Sequence, residues 1–74
     1  MRILLFGRLR DLPPLGAVPA SVNDVESLRA WLATERPALV DKSVRIAVND
    51  EMVVANCPLN SSDEVSFLPP MSGG

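Results

Sequence analysis

Seventy-four residues, 47% of them apolar and 22% charged, set the scale of one small domain near the lower size limit for a core that folds unaided. The net charge of −2, with Arg2, Arg8, Arg10, Arg29, Arg36, Lys42 and Arg45 scattered and interrupted by acids, gives no footprint for nucleic acid. Histidine and tyrosine are absent and Cys57 is the single cysteine, which removes Ser-His-Asp and Cys-His catalysis, histidine or zinc metal sites and an intrachain disulfide.

Arg2-Ile3-Leu4-Leu5-Phe6 reads as an opening strand ended by Gly7, too short for a membrane span or a signal-peptide core. With no targeting segment in view, a cytoplasmic location is the expectation, with no membrane partner. Alternation puts Ile3 and Leu5 on one side and Leu4 and Phe6 on the other. Leu12-Pro13-Pro14-Leu15-Gly16 is turn chemistry, and 16–20 is at best a short edge strand, because Pro19 lacks the ladder donor.

A helix is predicted from Ser21, an N-cap with Asp24 three residues on, or from Asn23 paired with Glu26. Val22, Val25, Leu28 and Leu32 recur at helical spacing, with Trp31 beside the stripe as partial core. Pro37 ends the helix at or before Arg36. Ser43 to Val48 alternates, with Val44, Ile46 and Val48 inward, and Asn49-Asp50 is a tight turn because both residues tolerate the left-handed region. Glu51 to Ala55 returns as a strand, 60–63 is a loop, and Glu64-Val65-Ser66-Phe67-Leu68 is the last strand, with Val65 and Phe67 inward.

This order predicts an α+β domain over residues 1–68, a β-grasp or ubiquitin-like mixed sheet of four to five strands with one helix on one face. The apolar first and last strands are expected to pair in parallel at the sheet centre. Residues 69–74, Pro69-Pro70-Met71-Ser72-Gly73-Gly74, are expected to form an extended tail. Its prolines favour polyproline II, its six residues reach about 20 Å, and its glycines fit a channel too narrow for side chains. If Ile3, Leu5, Val65 and Phe67 face the helix, then Phe6, Leu68 and Met52 face outward, an apolar docking patch near the tail.

Four stretches carry a resemblance over essentially the whole chain: Leu4 to Asp11; Ser21-Val22 with Val25 and Leu28; Ile46 to Asn49 with Met52-Val53; and Asp63 to Gly74, ending Pro-Pro-x-Ser-Gly-Gly. The chain resembles the small, sulfur-carrier subunits of molybdopterin synthase. One departure is Ser62, where that family usually has glycine; a positive φ there would strain serine by roughly 1 kcal/mol.

The resemblance implies that the chain is no enzyme on its own and binds no permanent cofactor. An E1-like adenylating partner uses ATP to activate the Gly74 carboxylate, and a sulfur donor protein converts it to a thiocarboxylate. Residues 69–73 (Pro69, Pro70, Met71, Ser72, Gly73) insert into the large catalytic subunit, in an expected heterotetramer, and Gly74 delivers sulfur to a cyclic pyranopterin monophosphate. By the same analogy Arg10, beside Asp11, contacts a partner. Cys57, in a loop before Pro58, reads as a structural or incidental thiol, and Asp63-Glu64 as a solvated pair at a strand start. The alternatives are a thiamine-type sulfur carrier, which shares the Gly-Gly end, and a ubiquitin-like modifier conjugated to lysines.

Overall fold

The computed structural model describes residues 1–13 and 15–70. Four strands, β1 (Arg2–Leu5), β2 (Arg45–Val48), β3 (Glu51–Met52) and β4 (Glu64–Leu68), form one sheet in the order β1-β4-β2-β3. One helix, α1 (Val25–Glu35), covers a face, and short 3-10 helices run over Gly7–Asp11 and Pro37–Val40. This is the mixed sheet with a single long helix expected of a β-grasp domain.

β1 and β4 pair in parallel, while β2 runs antiparallel to both β4 and β3. β4 is therefore interior, and Val65, Ser66 and Phe67 are all buried. β1 is an edge strand of this sheet, not a central one, because the segment expected to flank it does not pair. Residues 15–19 carry no strand; Leu15 to Val18 run beside Met1, Ile3 and Leu5 across a shallow cavity. Pro19 removes one donor, and Val22 N–H turns back to its carbonyl at 3.0 Å.

The helix starts later than its local signals suggest. Asp24 is the N-cap, where its Oδ1 accepts from Ser27 N–H at 2.7 Å and Ser27 Oγ accepts from Asp24 N–H at 3.1 Å. Ser21 and Asn23 lose the competition to a distant strand-like segment: Leu59 N–H donates to the Asn23 carbonyl and Asp24 bridges Pro58. Asn56 Oδ1 accepts from Glu26 N–H at 2.9 Å, so two more side-chain and backbone oxygens, Asn56 Oδ1 and the Cys57 carbonyl, serve the exposed N–H groups of the first turn. The helix ends at Glu35 before Pro37, as expected. Arg36 is the C-cap, and its side chain donates to the Pro13 carbonyl.

Val25, Leu28 and Leu32 lie on one helix face and are buried against Ile46, Val65 and Phe67, with Leu9, Leu39 and Leu59 closing the ends of the core. Each such side chain contributes up to about 1.5–3 kcal/mol on burial. Trp31 is half-buried against this cluster. β3 is shorter than the predicted Glu51–Ala55 strand: Val53 N–H still reaches the Ile46 carbonyl at 2.9 Å, and the chain then bends away so that Asn56 and Cys57 reach the helix start.

The two-residue turn joining β2 and β3 has φ of 50° at Asn49 and 69° at Asp50. Both lie in the left-handed region, as a primed hairpin turn requires. Ser62 has no positive φ; its N–H and Oγ both bond Asn60 Oδ1, at 3.0 and 2.6 Å. The loop thus turns through side-chain bonding and spares Ser62 the strain considered for it.

Candidate functional site

Strand parity decides what the outer face of the sheet carries. Because Val65 and Phe67 point at the helix, Glu64, Ser66 and Leu68 point away from it. Register then aligns a row across the four strands, Leu4, Ser66, Ala47 and Met52. Above it, one pleat closer to the C-terminal end of β4, Leu68 pairs with Arg45. Phe6, whose N–H donates to the Phe67 carbonyl at 3.1 Å, continues β1 beside Leu68.

Phe6 and Met52, 44% and 47% accessible, are therefore on the same face. Leu68 is half-buried, not fully exposed, because β4 is interior and Phe6 and Arg45 flank it. Met52 stands two strands from β4, roughly 10 Å away, across a floor of small residues. That floor, Ser66 and Ala47, is the part of the face the sequence reading missed. Both are shielded by larger neighbours, and their parity with Leu68 and opposite to Ile46 was the available signal. The result is a shallow apolar saddle with a high rim at Leu4 and Phe6 on one side and Met52 on the other. Val54 is 96% accessible but lies past the end of β3.

The chain leaves this face beside Gly7. Gly7 has φ of +58°, and a Cβ placed on it would lie 2.7 Å from Pro69 Cγ. The contact needs both the left-handed backbone and the missing side chain. Pro69 and Pro70 are half-buried in a groove that also involves Arg8, Leu9, Leu12, Ala38 and Val44. They hug the body, so a free arm counted from Pro69 would be too long. Met71, Ser72, Gly73 and Gly74, the reacting end in the sequence reading, lie outside the described residues.

The opposite end of the sheet is tied by Asn49. Its N–H donates to the Glu64 carbonyl at 2.8 Å, its Oδ1 accepts from Glu64 N–H at 3.0 Å, and its Nδ2 donates to Asp63 Oδ1 at 3.0 Å. The Asn49 side chain, with Asn60 N–H on the other oxygen, lowers the pKa of Asp63 from its ordinary value. This knot fixes the hairpin that presents Met52. Asp63 and Glu64 do not converge as an acid–base pair, since Asp63 is engaged with Asn49 and Asn60.

Arg10 is exposed in the first 3-10 helix, at the exit end. Cys57 is half-buried against the core, at the helix start, and its carbonyl accepts from Val25 N–H at 3.1 Å. Among the described residues no group of three or more Cys, Asp or Glu is placed to hold a metal ion, and no helix is long and apolar enough to cross a membrane.

The sequence profile of the ThiS family matches residues 3–74. The chain belongs to the ThiS family. Within it, the chain is similar to the molybdopterin synthase sulfur carrier subunit of Escherichia coli (strain K12), 36% identical over 80 aligned residues that cover 100% of this chain and 99% of the relative. The ThiS match spans the β-grasp sheet, the helix and the outer face, and it runs past Pro69 to the last residue.

Proposed function

We propose that this chain is the sulfur carrier of a molybdopterin synthase, with the Gly74 carboxylate as the carried group. The observation behind the reading is the full-length likeness to such a carrier, in a family match that extends through Gly74. A carboxylate is a poor electrophile, so an E1-like enzyme must activate it. The Gly74 oxygen attacks the α-phosphorus of ATP, pyrophosphate leaves, and a sulfide-level sulfur from a donor protein displaces AMP. The resulting thiocarboxylate sulfur is a soft, competent nucleophile toward a cyclic pyranopterin monophosphate bound by the large subunit. Two sulfurs make a dithiolene, so two loaded carriers are used per product, in keeping with a heterotetramer of two small and two large subunits.

The domain's own part is positional. The saddle of Phe6, Leu68, Ser66, Ala47 and Met52 is the docking face for the large subunit and the activating enzyme, and Pro69 against Gly7 sets the direction in which Met71 to Gly74 enter. Proton transfer belongs to the partners, in the cytoplasm. The test is deletion of Gly73-Gly74. The truncated chain should still bind the large subunit through the saddle yet support no molybdopterin formation from the monophosphate. Full product formation by the truncated chain would overturn the reading, and loss of thiamine synthesis alone in the deletion strain would move the carrier to that pathway.

A further inference from the structure

The basic residues that look scattered in the sequence are sorted by the fold. At one end of the strands, the β2–β3 turn and the start of β4 bring together Asp50, Glu51, Asp63 and Glu64, opposed by Arg2 and the amino terminus. At the other end the arginines gather around the exit. Arg45 is the register partner of Leu68 on the outer face. Arg8 borders the groove that receives Pro69 and Pro70. Arg10 is exposed on the same short 3-10 segment, Gly7–Asp11, whose first residue meets Pro69. All three are exposed.

The carboxylates on the segments at this end are Asp11, Asp41 and Glu35, the last residue of α1. Asp41 is engaged by Ser43 N–H and Oγ, at 2.9 and 2.6 Å, with Lys42 beside it. Among the described residues the arginine side chain that makes a hydrogen bond is Arg36, to the Pro13 carbonyl. Arg8, Arg10 and Arg45 therefore present their guanidinium groups outward at the base of the last residues of a chain whose net charge is −2.

We infer that Arg8, Arg10 and Arg45 form a basic collar that recognises a carboxylate-rich rim around the channel mouth of the protein receiving Gly74. The inference rests on the carrier reading. Reach decides between a protein rim and a nucleotide. The four residues after Pro70 span about 12–14 Å when extended, so a collar at Pro69 lies nearer the surface that the tail enters than the carboxylate reacting at its end. The anion it meets belongs to the receptor's surface. Arg45 borders Leu68, which makes the matching surface an apolar patch edged by Asp or Glu. Charges at such a rim act mainly on association rate and orientation, and salt weakens them. The acidic far end adds to the effect, since a receptor with a negative mouth repels that end and turns the exit toward itself.

The test is stopped-flow association of the full chain with the large subunit of molybdopterin synthase from the same genome, at about 50 and 500 mM NaCl. The wild-type association rate should fall roughly tenfold or more at the higher salt. The triple variant Arg8→Glu, Arg10→Glu, Arg45→Glu should associate at least about thirtyfold more slowly at low salt, approach the wild type at high salt, and melt at an unchanged temperature. Arg29→Glu, on the exposed side of the helix, should leave the rate nearly unchanged; equal slowing per charge would mean that net charge acts, and not the collar. A complex that forms at a rate blind to salt and to the triple reversal overturns the collar alone. No complex with the wild type at either salt defeats the carrier reading with it.

Discussion

Gly7 packs so closely on Pro69 that a Cβ on Gly7 would sit 2.7 Å from Pro69 Cγ, at a φ of +58°. Gly7→Ala should cost about 1–2 kcal/mol from the left-handed backbone, with a further penalty from displacing Pro69. Pro69→Ala in that background should recover part of the second penalty, so the two changes should be non-additive by about 0.5 kcal/mol or more in urea unfolding. Additive losses would show that the proline does not rest on Gly7. The same displacement should slow product formation by the synthase more than it weakens the complex, because it redirects the exit and leaves the saddle in place.

The saddle makes a separate prediction. Met52→Arg and Phe6→Arg each place a charge on an exposed position of the outer face, so the melting temperature should stay near that of the wild type. Binding to the large subunit should weaken by 2 kcal/mol or more, roughly thirtyfold in Kd, as truncation or charging of a central contact does. Titration calorimetry reads this directly. An unchanged Kd for both variants would remove the outer face from the interface. Leu68→Arg is a less clean probe, because Leu68 is half-buried and its loss would disturb the sheet.

Asn49 does two jobs that substitution can separate. Its φ of 50° favours glycine or asparagine, and its side chain bonds Asp63 and Glu64. Asn49→Gly keeps the turn and loses the bonds, a cost of about 1 kcal/mol; Asn49→Ala loses both and should cost about 2 kcal/mol. Equal stability of the two variants would show that the turn conformation contributes nothing.

Acid should destabilise the fold through a defined set of carboxylates. Hydrogen bonds lower the pKa of Asp24 (from Ser27, then Asn56), Asp41 (from Ser43) and Asp63 (from Asn49, then Asn60) below the ordinary 3.8. A carboxylate whose folded pKa is depressed stabilises the fold above its unfolded pKa and loses that contribution as pH falls through the folded value. The melting temperature should therefore be nearly flat from pH 7 to about 5 and decline below about 4. The double variant Asp24→Asn, Asp63→Asn should decline less steeply; an identical acid slope would contradict the assignment.

The inward alternation of Ile46, Val65 and Phe67, the Asn49-Asp50 turn, the stop at Pro37 and the outward parity of Phe6 and Met52 were legible in the sequence, because each follows from local periodicity or local backbone preference. The helix start was not. Ser21, Asn23 and Asp24 are all competent caps, and pairing with Cys57, Pro58 and Leu59, far along the chain, chose among them. The basic collar was hidden for a related reason: only the antiparallel register of β2 with β4 brings Arg45 to the exit shared by Arg8 and Arg10. Small residues gave the weakest signal of all, since Ser66 and Ala47 matter by what they leave uncovered.

Intact mass of the protein purified from cells that keep its pathway is the most direct test of the carrier claim. Oxygen replaced by sulfur at Gly74 adds about 16 Da, and the species should vanish when Gly73-Gly74 is deleted or the adenylating enzyme is absent. Persistent absence of that species in the presence of ATP, activating enzyme and sulfur donor, or a ladder of lysine conjugates in its place, would contradict it.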